Sequence, residues 1–213
     1  RTMAFIVVKD ITGKLQITIE KEKHPEFSEM LDKLSIHSVV TFEGEVVASE
    51  YVKMGGKEMY PTFMRVESYA DALPIKDDSD IDVRMDYRWI DLRTEKNQLM
   101  FKVQTEVTRA MREFLCERGF LEIHTPKLIG AASESGSDVF EVKYFDQTAY
   151  LAQSPQFYKQ MAMASGFERI FECCPVFRAE KSYTSKHTTE FTGFDLEFSY
   201  ITSFRDVMKM EED

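Results

Sequence analysis

The alternation of hydrophobic and polar residues predicts a first part made of short strands. Runs rich in Val, Ile, Phe and Tyr indicate four strands, at residues 4–9, 14–20, 38–48 and 58–69. Turn-forming residues 10–13 and the pair Gly55-Gly56 separate the members of each strand pair. Between the pairs, apolar residues at helical spacing predict one helix over 25–34, with Pro25 in its first turn.

Strand, strand, helix, strand, strand is the order that remains when a five-stranded OB barrel lacks its first strand. A small unrelated β-sheet domain is the alternative that this pattern leaves open.

The second part mixes helices and strands. Thr94 can cap a long helix over 95–118, which has an apolar face and Gly119 at its end. A further helix is predicted at 155–164, and strands are predicted at 120–123, 140–144, 149–152, 169–177 and 190–200. Pro126 lacks a ladder donor and therefore suits a bend or an edge.

The fold class expected from these patterns is α+β. We expect a partial OB-fold domain at 1–72, a linker at 73–93 that includes the charged run 76–80, and a second domain at 94–213.

Composition excludes some classes of protein. The 213 residues are 43% hydrophobic and 30% charged, with no apolar run of membrane-spanning length and no secretory leader, so we expect no membrane partner and a cytoplasmic location. We expect Cys116, Cys173 and Cys174 to be reduced core residues, and we expect no metal site. A net charge of −10 argues against general nucleic-acid binding but leaves room for local patches.

The most informative residues surround Arg178. Arg178 and Glu180 are separated by one residue, so on a strand their side chains share a face. A basic loop and then His187 and Phe191 follow. This combination suits a nucleotide, because the guanidinium can meet a phosphate oxygen and the ring can face a base.

Five ordered strings carry a resemblance to a known family. They are residues 87–93, 120–126, 133–137, 151–156 with Lys159, and 178–191. Together they resemble the aspartyl-tRNA synthetases of the eukaryotic and archaeal type, which are class II enzymes with an antiparallel-sheet catalytic domain. Met85 to Tyr200 carries the stronger part of this resemblance, and the OB-like part extends it more loosely.

The resemblance implies activation of L-aspartate by ATP with Mg²⁺, followed by transfer to tRNA(Asp). It assigns Arg178 to the catalytic bridge between the substrate carboxylate and the α-phosphate. The ATP-binding positions that it implies are Arg178, Glu180, Lys186, His187, Thr188 and Phe191.

For the amino acid, the resemblance implies Glu134 at the ammonium group, with Gln156, Lys159 and Arg178 completing the aspartate site. Taken by itself, Lys159 more often marks a solvated helix face. The resemblance also places Pro126 at a homodimer interface.

In the OB-like part, the resemblance implies that Phe5, Gln16 and Glu58 contact the anticodon. A ring with two polar groups on a strand face suits unstacked bases.

Departures from the family pattern are Ser135, Lys186 and Thr188. The family's third motif and its acidic metal ligands have no counterpart here, so we expect these residues not to complete the reaction alone.

Alternatives are asparaginyl- or lysyl-tRNA synthetase on the same scaffold, or a non-catalytic tRNA-binding or scaffold protein derived from it. An ammonia-dependent asparagine synthetase is opposed by the OB-like part.

Overall fold

The computed structural model describes residues 2–76, 78–133, 138–181, 184 and 186–213. The chain divides into two compact units, Arg1–Thr94 and Glu95–Asp213. Within the described ranges, no helix is both long enough and apolar enough to cross a bilayer.

The first unit is built on a four-stranded sheet. Its strands are β1 (Met3–Lys9), β2 (Lys14–Glu20), β3 (Val39–Ala48) and β4 (Lys57–Ser68). The order is β1-β2-β4-β3, with β1/β2 and β3/β4 antiparallel and β2/β4 parallel. A 3-10 turn (Pro25–Phe27) and helix α1 (Ser28–Lys33) stand between β2 and β3, in the predicted order.

One face of this sheet forms the core of the unit, and the other carries both exposed and buried side chains, such as Phe5 at 64% and Thr18 at 2% exposure. Ile17, Ile19, Phe27 and Met64 form the buried cluster. Because side chains alternate along a strand, Gln16 and Thr18 on β2 point to the opposite face. A Cβ at Gly44 would lie 2.2 Å from the Tyr60 carbonyl oxygen, so the register shift beside Gly44 requires glycine there.

Two short helices follow where the sequence predicted a linker. These are α2 (Ile81–Asp86) and α3 (Arg88–Asp91). The Asp91 carboxylate is 3% exposed and accepts hydrogen bonds from Arg84 Nε (2.7 Å) and from Arg88. The bond from Arg84 is the main cause that lowers the pKa of Asp91. Buried charge pairing therefore gives part of this segment a defined structure.

The second unit contains nine elements within its described residues. They are α4 (Glu95–Glu117), β5 (Leu121–Glu122), β6 (Leu128–Ile129), β7 (Glu141–Tyr144), β8 (Gln147–Leu151), α5 (Gln156–Ala164), β9 (Arg169–Phe177), β10 (Glu190–Phe198) and α6 (Phe204–Glu212). One three-stranded sheet has the order β10-β9-β5 and another has the order β6-β8-β7. All pairs are antiparallel except β5 with β9.

The end of α4 follows the sequence prediction closely. Gly119 has φ +77°, and the Phe120 N–H donates to the Leu115 carbonyl at 3.0 Å, as in a Schellman motif. Leu115, Phe120 and Phe171 form the buried cluster of this unit. Earlier in α4 several apolar residues are exposed, and Leu99, Val103 and Val107 each have more than half of their surface accessible to solvent.

The expectation that all three cysteines are core residues is wrong for one of them. Cys174 is buried and Cys173 is half-buried, but Cys116 is exposed. Cys116 lies on the last turn of α4, where a neighbouring position, Leu115, faces the core instead.

Candidate functional site

Main-chain hydrogen bonds bring three of the diagnostic strings together. The Ala152 N–H donates to the Lys127 carbonyl, and the Phe177 N–H donates to the Ala152 carbonyl, both at 2.9 Å. The bend that contains Pro126, the segment after β8 and the end of β9 therefore meet in one place. Pro126 itself is exposed.

Arg178 directly follows the last residue of β9. Its backbone N–H donates to the Thr189 carbonyl at 3.0 Å, which fixes the start of the connection to β10. Its Nε is buried and has no hydrogen-bond partner among the described residues. An unpartnered buried donor costs about 1 to 3 kcal/mol, and more when the group is charged. The geometry thus leaves a cationic donor ready for an anionic ligand.

Phe191 stands beside this guanidinium. It pairs with Val176 across the β9/β10 ladder, its ring is 38% exposed, and the Arg178 Cζ lies 5.4 Å from the ring centroid. An exposed ring next to a cation can stack on a heterocycle while the cation meets an attached anion.

Arg178 and Glu180 lie beyond the end of β9, so they are not on a strand, contrary to the prediction that a strand would place both side chains on one face. Glu180 is half-buried, whereas Lys186, His187 and Thr188 are exposed. His187 Nδ1 lies 2.7 Å from Thr184 Oγ1. Glu134, predicted at the ammonium group, and Ser135, the family departure beside it, lie outside the described residues.

Lys159 is buried, contrary to the solvated helix face that its type alone suggests. It is 4% exposed on α5, and its Nζ lies 3.0 Å from Asp195 Oδ1 and 3.4 Å from Glu197 Oε2. Nζ also donates to the Leu196 carbonyl at 3.4 Å. Gln156 is half-buried at the start of the same helix.

Sequence reasoning missed Asp195 and Glu197 as partners of Lys159. Both are on β10, two residues apart, so they share a face. Acidic residues that alternate with Phe194, Leu196 and Phe198 were the available signal, because a charge on a largely apolar strand needs a partner.

Glu172 is a second buried acid that the sequence did not single out. It is 1% exposed on β9 and accepts hydrogen bonds from the Thr125 N–H (2.7 Å), Thr125 Oγ1 (2.8 Å) and Lys127 Nζ (3.0 Å). Burial is the largest single influence and raises the pKa of Glu172, but the bonds from Thr125 and Lys127 together hold that pKa below its usual value. Glu172 therefore connects the residues on either side of Pro126 to β9, the strand that ends just before Arg178.

In the first unit, the three predicted nucleobase contacts lie on adjoining strands. Phe5 is 64% exposed and pairs across the ladder with Thr18, while Gln16 pairs with Glu58. Thr18 Oγ1 donates to Glu58 Oε2 at 2.5 Å. An exposed ring beside hydrogen-bonding side chains is an arrangement that suits a single-stranded base.

No group of three or more His, Cys, Asp or Glu side chains suited to a metal ion occurs among the described residues.

Comparison with known families matches both units. Residues 80–213 match the family of class II tRNA synthetases (D, K and N), and residues 1–67 match the OB-fold nucleic acid binding domain. The predicted fold class, an OB-fold part followed by class II synthetase sheets, is thereby confirmed.

Individual relatives agree with this match. The chain is 48% identical to the aspartate–tRNA(Asp/Asn) ligase of Methanopyrus kandleri over 98% of its length and 50% of that protein. It is 41% identical to the aspartate–tRNA(Asp) ligase of Picrophilus torridus over 100% of its length and 51% of that protein. The chain thus spans about half the length of these curated relatives.

Among solved structures, asparaginyl-tRNA synthetase from Pyrococcus horikoshii complexed with asparaginyl-adenylate superposes with a TM-score of 0.93. The two are 35% identical, over 99% of this chain and 49% of the other. A putative aspartyl-tRNA synthetase from Leishmania major gives a TM-score of 0.88 at 32% identity, over 99% and 44%. With its catalytic-type sheets and its OB-fold unit both matched, this chain belongs to the class II tRNA synthetases of the D, K and N group.

Proposed function

We propose that the protein is an aspartate–tRNA ligase, which activates L-aspartate with ATP and transfers it to tRNA(Asp). The observation that carries this proposal is the buried, unpartnered Nε of Arg178 beside the exposed ring of Phe191. A nucleotide would satisfy both groups at once, with a phosphate on the guanidinium and adenine on the ring.

In this reaction two anions must approach each other. A carboxylate oxygen of aspartate attacks the α-phosphorus of ATP, the bond from that phosphorus to the bridging oxygen breaks, and its electron pair leaves with pyrophosphate. Arg178 would lie between the reactants and offset their repulsion, which makes positioning and charge neutralisation its catalytic contribution. Arginine suits this role because its planar fork is always charged.

Around the nucleotide, we propose that Glu180, Lys186, His187 and Thr188 contact ATP. Their chemistry fits a phosphate chain and a base edge, since three of them can donate hydrogen bonds. We also propose that ATP arrives with Mg²⁺.

For the amino acid, we propose Gln156, Lys159 and Glu134 as substrate contacts. Lys159 supplies a buried cation opposite the aspartate side chain, and Glu134 would meet the ammonium group. Asp195 and Glu197 would hold Lys159 in place from the other side.

Asparagine is the second candidate substrate, and one observation favours it. Lys159 already pairs with two carboxylates, so these three side chains together carry a formal charge of −1 when ionised. A neutral amide enters such a cluster with less repulsion than a carboxylate does. The superposed asparaginyl-tRNA synthetase has the same scaffold.

The test compares two non-hydrolysable acyl-adenylate analogues, aspartyl- and asparaginyl-sulfamoyl adenosine, by calorimetric titration of the chain. We expect the aspartyl analogue to bind at least tenfold more tightly. We also expect Arg178→Ala to weaken binding at least a hundredfold, because a charge-assisted contact is lost. Arg205→Ala, an exposed arginine on α6, is the matched control.

Three outcomes would contradict the proposal. Preference for the asparaginyl analogue would support the second candidate. An affinity for the analogues that Arg178→Ala leaves unchanged, or no binding by the native chain, would favour a non-catalytic scaffold protein.

For tRNA, we propose that Phe5, Gln16 and Glu58 contact the anticodon. For assembly, we propose a homodimer in which Pro126 and the exposed apolar residues of α4 face a second copy. A cytoplasmic location is proposed with this function.

A further inference from the structure

A hydrogen-bonded chain of three side chains crosses the outer face of the first unit. Gln16 Nε2 donates to Thr18 Oγ1 at 3.1 Å, and Thr18 Oγ1 donates to Glu58 Oε2 at 2.5 Å. Gln16 Nε2 also lies 3.4 Å from Glu58 Oε2. Gln16 and Glu58 were predicted from the sequence, but Thr18 was not.

Thr18 differs from its neighbours in burial. It is 2% exposed, although it lies on the face opposite Ile17 and Ile19, and it pairs with the exposed Phe5. A buried hydroxyl needs its partners, so the donor and acceptor roles within this chain are constrained.

Those roles have one consistent assignment. The hydrogen bond from Thr18 is the main cause that lowers the pKa of Glu58, and hydrogen bonds from the side chains of Ser49, Gln16 and Tyr60 lower that pKa further. An ionised carboxylate can only accept hydrogen bonds. Thr18 Oγ1 must then donate its proton to Glu58. It can accept the hydrogen bond from Gln16 Nε2 only through a lone pair of the same oxygen. Gln16 therefore turns its NH₂ group inward, and its carbonyl oxygen is directed away from Thr18 and Glu58.

We infer that Thr18 is a positioning residue that sets this face to accept hydrogen bonds from nucleobases. With Gln16 presenting a carbonyl and Glu58 a carboxylate, the face favours base edges with ring N–H donors, as in guanine and uracil. Adenine and cytosine place an acceptor nitrogen at the same ring position and would meet repulsion. This inference rests on the proposed anticodon role of the first unit.

The test measures base preference rather than affinity alone. Two short RNA hairpins differ in their loops: one carries GUC, the aspartate anticodon, and the other carries ACC, in which both ring donors are replaced by acceptors. The ratio of their dissociation constants is measured for the native chain, for Thr18→Val and for Thr18→Ser.

We expect Thr18→Val to reduce the ratio about tenfold, because Gln16 loses the nearer of the two partners that orient its NH₂ group. Thr18→Ser restores the hydroxyl and should keep the native ratio. A purely structural role would instead lower affinity for both hairpins equally, and that result would overturn the inference.

A second measurement does not depend on a variant that folds. In the native chain, nuclear Overhauser effects should connect the Gln16 side-chain NH₂ protons with the Thr18 side chain. Their absence would overturn the assigned orientation. If the native chain binds neither hairpin, the proposed anticodon role fails as well. If Thr18→Val leaves the native ratio of dissociation constants unchanged, only the proposed role of Thr18 is contradicted.

Discussion

At the residue scale, burial decides what each candidate side chain can do. Lys159 and Glu172 both carry ionisable side chains and are almost fully buried. Each forms an ion pair with a residue from a distant segment of the chain, Lys159 with Asp195 and Glu172 with Lys127. A charge is retained in such a place only when it is paired, because the desolvation cost is otherwise several kcal/mol per ion. These partners distinguish Lys159 from the ordinary surface lysine that its position on α5 suggested.

Burial also controls the reactivity of the cysteines. It raises the pKa of the Cys174 thiol to about 11, and the neighbouring Glu172 carboxylate acts in the same direction. Since the thiolate is the nucleophile, Cys174 should react slowly near neutral pH. We expect iodoacetamide at pH 8 to alkylate Cys116, which is exposed, at least tenfold faster than Cys174 in the folded chain.

Peptide mass spectrometry over a time course measures both rates. In urea the two cysteines should react at similar rates, which provides the control. Equal rates in the folded chain would contradict the burial of Cys174.

At the element scale, the bend between β5 and β6 is held by Glu172, a residue of β9 that lies 45 to 47 residues further along the chain than its partners. Glu172 on β9 accepts three hydrogen bonds from Thr125 and Lys127, which flank Pro126. Proline cannot donate to a ladder, so this bend needs such an external anchor. The same strand ends at Phe177, directly before Arg178, so β9 connects the bend to the candidate catalytic residue.

We expect Glu172→Gln to lower the free energy of unfolding at pH 7 by on the order of 3 kcal/mol, because Lys127 loses its ionised partner. Glu172 has a lowered pKa in the folded state, so its stabilising effect is complete above the usual value of 4.5 and is lost as the pH falls through the lowered folded value. The difference between native and variant chains should therefore shrink in acid.

Urea unfolding at pH values from 7 to 3 measures this difference. Glu168→Gln, an exposed glutamate just before β9, is the matched control and should change stability little. A difference that stays constant with pH would show that the charge of Glu172 is not what stabilises the bend.

At the scale of the whole molecule, α4 displays more apolar surface than a solvated helix normally does. Leu99, Val103 and Val107 recur at intervals of four residues, and each is more than half exposed. Their spacing places them along one side of the helix. Repeated exposed apolar residues of this kind indicate an interaction surface, in agreement with the proposed homodimer.

We expect Val103→Glu to raise the dimer dissociation constant at least tenfold, because a charge would have to be buried against a second copy. Thr105→Glu adds the same charge about 200° around the helix and serves as the control. Sedimentation equilibrium over a range of concentrations measures both. A monomeric native chain, or equal effects of the two variants, would contradict the dimer.

The candidate site was predictable to different degrees. Arg178 and Phe191 could be singled out because the family resemblance supplied their roles, whereas the argument that a strand places Arg178 and Glu180 on one face failed, since β9 ends at Phe177. Asp195, Glu197 and Glu172 were not, since their partners lie 36 to 47 residues away in sequence. Short-range periodicity carries no information about such pairs.

By itself, the sequence determined the order of the longer strands and helices, the turns at Gly55-Gly56 and Gly119, and the family resemblance, but it did not predict the short elements α2, α3 and β6 or the helix α6. These depend on local backbone preferences and on residue identity. Tertiary structure alone decided which charges are buried together, that Cys116 is exposed while Cys174 is not, and that Thr18 joins Gln16 to Glu58. The reason is physical: desolvation and hydrogen-bond direction depend on neighbours that are brought together only when the sheets form.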